Sequence, residues 1–111
     1  MKERKEERTP SYSKIIFVNA MVPGYIRDLS PGGFRCDLLQ PVGWSTGEVL
    51  SVRVVPHEDI PAPQFILLVE IRWIKKTPAG SSLGLQLSRN NTPEVQDLYR
   101  SLVQFYASPQ P

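Results

Sequence analysis

Thiol and imidazole chemistry have little to work with in this chain, whose 111 residues include one cysteine, Cys36, and one histidine, His57. A lone cysteine excludes an internal disulfide framework and fits a reducing compartment, which predicts a cytoplasmic protein. His57 has no second His, no Cys and no clustered carboxylate at ligand spacing, so neither a metal site nor general acid–base catalysis is expected. No apolar run approaches the ~20 residues of a membrane-spanning helix, so no membrane insertion is expected. The opening "MKERKEER" lacks the apolar middle of a signal peptide. Charge of one sign is also scarce. A formal net charge of +2 falls short of the broad basic field that non-specific DNA binding needs. A partner with a few negative charges stays compatible with it.

What the chain does have is apolar alternation, and enough of it, at 41% apolar residues, for one compact core. A chain of this length predicts one domain. Residues 1–14 are polar and charged and have no apolar face of their own, which predicts a flexible basic segment ahead of a domain over 15–111. "KIIFVNAMV" is a short apolar run of β type, followed by "GYIRDLS". In "FRCDLLQ", Phe34, Cys36 and Leu38 alternate with Arg35 and Asp37, the period of a half-buried strand. The same period puts Leu50, Val52 and Val54 on one face, then Phe65, Leu67, Val69, Ile71 and Trp73, then Leu83, Leu85 and Leu87. "PHEDIPAP" must be a loop. After Thr92, a good N-cap, and Pro93, suited to the first helical position, the period changes. Val95, Leu98, Tyr99, Leu102, Val103 and Tyr106 form one stripe of a helix over 93–107. Five or six antiparallel strands and one C-terminal helix close most economically as a small, mainly β barrel, with the helix over an end or a side.

Two short motifs stand out. Arg4 and Arg8 form an R-x-x-x-R spacing. Twenty residues after Arg8, Asp28 opens D-x-S-x-x-G with Ser30 and Gly33. In this order the pair resembles the PilZ domain, a bacterial receptor for the second messenger cyclic di-GMP. The resemblance continues through "EIRWI" (Ile71, Trp73), "SLGLQL" and the helix, and so covers nearly the whole chain. It implies a six-stranded antiparallel barrel with one C-terminal helix. It also implies a ligand site of Arg4, Arg8, Asp28, Ser30 and Gly33, with the N-terminal arginine segment folding over the nucleotide. Lys5, Arg35 and Trp73 are additional candidate contacts.

The chemistry agrees. An arginine fork binds phosphate bidentately, pairs with guanine O6 and N7, and stacks on bases. A carboxylate such as that of Asp28 suits the guanine donor edge. Ser30 adds a small donor and acceptor, and Gly33 lets the backbone approach a flat ligand.

Blander roles compete at each position. "RKEER" suits any solvated charged end. "SPGG" reads as a type II turn with Pro31 and Gly32 at its centre, and Ser30 can bond the turn backbone. Trp73 suits the core or the barrel mouth, Trp44 a core edge, Arg35 and Arg53 the surface, and Cys36 a buried thiol. The combined motifs favour a cyclic di-GMP receptor without catalysis, cofactor or metal. Its output would be a change of surface read by an unidentified downstream protein. The alternative is a PilZ-like module of pilus or motility control that binds protein and not the nucleotide. A DNA- or RNA-binding barrel would want exposed aromatics beside basic residues on one strand face, whereas the strand aromatics here mostly alternate inward. An enzyme is the least favoured class.

Overall fold

The computed structural model of the chain describes residues 9–10, 13–58, 60 and 62–107. Its strands are β1 (Thr9–Pro10), β2 (Lys14–Phe17), β3 (Val22–Ser30), β4 (Gly33–Leu38), β5 (Val49–Val55), β6 (Phe65–Thr77) and β7 (Gly80–Leu87), followed by helix α1 (Pro93–Ala107). Each pairing is antiparallel, and the order β3-β2-β5-β6-β7-β4 returns to β3 through its pairing with β4. Six strands thus close on themselves, which satisfies the ladder groups that an open edge would leave unpaired.

β1 continues the edge occupied by β2: Thr9 lies opposite Leu29 and Pro10 opposite Asp28. Between the two, Ile26 donates its N–H to the carbonyl of Ser13 at 2.9 Å. Thr9 and Pro10 thus form a strand on the edge of β3 despite their lack of an apolar pattern, and Lys14 opens β2. Arg4, Lys5 and Arg8 lie outside the described residues.

Alternation builds the interior. Ile15, Phe17, Phe34, Cys36, Leu38, Val52, Val54, Leu67, Val69, Leu83 and Leu85 all point inward and are buried. Burial pushes the Cys36 thiol well above its ordinary pKa, with the Asp37 charge acting in the same sense, so it stays a protonated, unreactive thiol. Trp44 closes a core edge against Phe17, with ring centroids 4.8 Å apart. The helix has the bounds that its periodicity predicts. Thr92 caps it, its Oγ1 accepting the Val95 N–H at 3.2 Å, and Tyr99, Leu102 and Val103 are buried. Asn91 anchors its approach. The side chain is buried, accepts the Leu68 N–H at 2.8 Å, and donates to the Leu68 and Ser88 carbonyls at 2.9 and 2.8 Å.

Two turns differ from expectation. The run "KIIFVNAMV" is not one strand: it breaks over Val18–Met21, where Met21 takes a positive φ of 54°. The hairpin between β3 and β4 is not a type II turn. Among the described residues only Met21, Gly47 and Gly80 have positive φ, whereas type II needs it at Gly32. The Gly32 carbonyl instead accepts the Leu87 N–H at 3.0 Å, which ties the turn to β7.

Strict alternation fails at two places, and both matter to the outer wall. The β3–β4 register shifts between Ile26 and Asp28, and the β6–β7 register shifts between Ile71 and Trp73. Each is a β-bulge that adds one residue, Arg27 or Arg72, and reverses which later residues face the core. After the first, Leu29 is inward and Asp28 and Ser30 face out. After the second, Ile74 packs on the core while Trp73 is 41% exposed. Trp73 therefore does not share a face with Phe65–Ile71, because the bulge separates them.

Candidate functional site

The two bulges flank one open cleft on the barrel wall, about 460 Å³ in volume, lined by Asp28, Ser30, Gly32, Gly33, Phe34, Arg35, Arg72, Trp73, Gly84, Leu85 and Gln86. That volume is within the roughly 300–1,000 Å³ of small-molecule sites. Its centre is a single row across four strands. Asp28 of β3 lies opposite Arg35 of β4, Arg35 opposite Gly84 of β7, and Gly84 opposite Trp73 of β6. Neighbouring strands lie about 4.8 Å apart, so the row carries a carboxylate, a guanidinium, a bare backbone position and an indole side by side.

Each member has a local reason for its place. Asp28 and Arg35 are a cross-strand ion pair, with Arg35 Nη2 3.1 Å from Asp28 Oδ2. The Asp28 side chain is 13% exposed and that of Arg35 40%. Arg35 Nε is buried and has no hydrogen-bond partner. Gly84 makes room for Trp73, since a Cβ there would come within 2.1 Å of the indole Nε1. Trp73 thus lies across Gly84 with part of its surface in the cleft.

Gly33 serves the barrel as well as the cleft. A Cβ on it would sit 2.0 Å from the Leu85 carbonyl oxygen, so the close approach that requires glycine here is that of β4 to β7. Ser30 Oγ donates to the Gly33 carbonyl at 3.3 Å, a bond within the turn. The Tyr99 hydroxyl of α1 reaches the same turn, 2.6 Å from the Ser30 carbonyl and 2.7 Å from that of Gly33. Burial raises the pKa of Tyr99 well above that of a free phenol, and the nearby Asp28 charge adds to the rise, so the hydroxyl remains a donor across the neutral range. One helix side chain therefore clamps both ends of the Ser30–Gly33 hairpin.

Of the residues singled out in the sequence, the structure brings together Asp28, Ser30, Gly33, Arg35 and Trp73. Gly84, Gln86 and Arg72 were missed. Their signal was present in outline: "IRDL" and "IRWI" each place apolar residues three apart, Ile26 to Leu29 and Ile71 to Ile74. Inside a strand, that spacing marks an inserted residue. Among the described residues no group of three or more His, Cys, Asp or Glu side chains could hold a metal ion, and no helix is long and apolar enough to cross a membrane.

A closed six-stranded barrel with a C-terminal helix and a polar, arginine-bearing cleft on its wall is the build of a binding module. The family model of the PilZ domain matches residues 2–105, and the chain belongs to that family, whose members are receptor or adaptor modules and not enzymes. Among solved structures, the chain is similar to the Bacillus subtilis inhibitor of motility, MotI/DgrA. That match has a TM-score of 0.71 at 19% identity and covers 96% of this chain and 50% of the other. The chain thus spans half the length of the Bacillus protein. It is also similar to the PilZ domain of Escherichia coli YcgR, solved with cyclic di-GMP, with a TM-score of 0.65 at 14% identity over 95% of this chain and 92% of the other. No curated protein matched the chain.

The Gly33 geometry separates a structural from a ligand-facing role. Gly33→Ala should destabilise the protein in the absence of any ligand by ~1–3 kcal/mol, the usual cost of overpacking a tight contact. Urea unfolding measures this directly. Unchanged stability would mean that β4 and β7 do not need the glycine.

Proposed function

We propose that this PilZ domain is a receptor for cyclic di-GMP in the bacterial cytoplasm, that it catalyses no reaction, and that it signals through a downstream protein. The observation that carries this reading is the convergence of Asp28, Ser30 and Arg35 with the half-exposed Trp73 in one cleft of suitable size. A cyclic dinucleotide has two flat bases and two phosphate charges, and this wall offers an aromatic surface, a guanidinium and a carboxylate. The pairing of Thr9 with Leu29 adds support. It brings the chain onto β3 beside Asp28 and Ser30, one residue after Arg8. Arg8 and Arg4 supply the charge for the phosphates, Lys5 adds to it, and the N-terminal segment that carries them orders over the bound nucleotide. Ordering of this kind needs a ligand that binds the closed state more tightly than the open one. The rival, a PilZ-like module of pilus or motility control that binds protein alone, draws on the likeness to the inhibitor of motility.

Calorimetry decides between them. Cyclic di-GMP should bind much more tightly than cyclic di-AMP, because guanine and adenine present different donor and acceptor edges. Equal affinities would remove base recognition, and no heat with either would leave the protein-binding module. Arg8→Ala should weaken cyclic di-GMP binding by ~1.5–3 kcal/mol, about ten- to a hundred-fold. Arg8→Lys should also lose much of the affinity, since an ammonium lacks the fork. Wild-type binding by both Arg4→Ala and Arg8→Ala would reduce the first motif to a charged end. Limited trypsin digestion tests the ordering. Cleavage after Lys5 and Arg8 should be fast in free protein and slow at saturating cyclic di-GMP. Equal rates in fully bound protein would exclude the segment as the switch.

A further inference from the structure

The barrel has two unlike walls. On β4 and β7 the outward positions are Arg35, Asp37, Ser82, Gly84 and Gln86, none of them a large apolar residue. On β3, β2, β5 and β6 the outward positions depart from the rule that an antiparallel sheet keeps polar side chains on its solvent face. Register sets them in neighbouring rows. Tyr25, Lys14 and Val55 lie side by side in one row, and Pro23, Ile16, Arg53 and Ile66 in the next. Tyr25 and Ile66 are each 43% exposed, and Pro23 is exposed as well. Apolar side chains scattered singly over a surface need no explanation, but these are contiguous across four strands. The two cations sit inside the patch, Lys14 between Tyr25 and Val55 and Arg53 between Ile16 and Ile66. Nearer the cleft, Arg27 and Arg35 pair with Asp37 and Asp28. Neither Lys14 nor Arg53 pairs with a carboxylate among the described residues.

We propose that this wall docks a segment of a partner protein, an amphipathic helix that sets carboxylates between apolar side chains. The inference rests on the reading that the domain works through another protein, which the receptor and its rival share, and not on the nucleotide. Charge complementarity identifies the occupant. A carboxylate laid on Arg53 takes both arms of the guanidinium fork, and Ile16 and Ile66 on either side shield that contact from water. Three strand spacings of about 4.8 Å make the patch roughly 14 Å wide, enough to seat one helix of about 10–12 Å diameter. A contact of that extent suits a weak, reversible encounter and not a permanent assembly. A second copy of the chain fits poorly. A two-fold contact would set Lys14 and Arg53 against the same cations, with no carboxylate in either row to meet them. An anionic bilayer fits poorly too, because two cations supply little of the attraction that stable anchoring takes.

Two designed helical peptides test this on the unmodified protein. One carries a leucine stripe flanked by glutamates, and the other has lysine in place of each glutamate. Titrated into isotope-labelled protein and followed by NMR, the glutamate peptide should shift the amide signals of Ile16, Tyr25, Arg53 and Ile66. The signals of Gly84 and Gln86, in the cleft on the other wall, should stay in place. The lysine peptide should bind roughly tenfold more weakly, the loss of one charge-assisted contact. Arg53→Glu should reverse the preference between the peptides. Ile66→Ser, which keeps both cations, should weaken both alike. The comparison of peptides needs no variant, so a variant that folds poorly does not blunt the test. The proposal is overturned if the peptides bind equally, if the shifts fall on the cleft or the helix, or if neither peptide binds. It is also overturned if sedimentation shows a dimer that Arg53→Glu dissociates, or if phosphatidylglycerol vesicles bind the protein and Arg53→Glu abolishes that binding. Calorimetry with cyclic di-GMP separates this surface from the receptor reading. No heat from wild-type protein that binds the glutamate peptide would overturn the receptor reading and leave the docking wall. Tight nucleotide binding without peptide shifts would overturn the docking wall alone.

Discussion

The cleft exists because two strands each carry one residue too many. In an antiparallel ladder every second side chain faces the core, and only an inserted residue can change that phase. Without the bulge at Arg27, Asp28 would share the face of Ile26 and bring a carboxylate into an apolar interior, a costly burial for an ionised group. Without the bulge at Arg72, Trp73 would follow Ile71 inward and leave the outer wall without an aromatic surface. The core continues on both sides of each bulge, through Leu29 and Ile74. The phase change therefore costs the interior little and gives the wall Asp28 and Trp73. These lie at the two ends of a row whose middle, Arg35 and Gly84, comes from strands that alternate regularly.

The helix completes this arrangement and does more than cover the barrel. Its Tyr99 hydroxyl meets the carbonyls at both ends of the Ser30–Gly33 hairpin, and the Gly32 carbonyl is held by β7. The turn is thus fixed from two directions. Farther along α1, the Tyr106 hydroxyl lies 2.7 Å from Ser13 Oγ, at the residue that joins the β1 and β2 sections of the edge. Two tyrosines seven residues apart, on one helical face, connect α1 to the turn beneath the cleft and to the N-terminal edge strand.

Much of the fold was legible because it rests on local periodicity. The period-2 runs around Phe34–Leu38, Leu50–Val54 and Phe65–Ile71 gave strands, the 3.6-residue stripe from Val95 to Tyr106 gave the helix, and Thr92 with Pro93 marked its start. What stayed hidden needed partners distant in sequence. Thr9 and Pro10 have no apolar pattern and become a strand because β3 offers them an unpaired edge. Asn91 has the look of a loop residue and is buried because its amide bonds both the N–H and the carbonyl of Leu68. Pro-Gly at a hairpin suggested a type II turn. The bonds from Tyr99 and Leu87 hold a turn with a different backbone.

The site divides along the same line. Asp28, Ser30 and Gly33 form a motif within six residues, so their chemistry could be read from the chain. The grouping of Arg35, Gly84 and Trp73 could not, because strand register is set by barrel closure and not by any one segment. Residue type and local spacing determined which elements form and which side chains carry useful chemistry. Only the tertiary structure decided that Asp28 engages Arg35, that Gly33 is required by a neighbouring carbonyl, and that Trp73 faces out. Each of these depends on which strand lies alongside and in what phase, and a single bulged residue reverses that phase for everything after it.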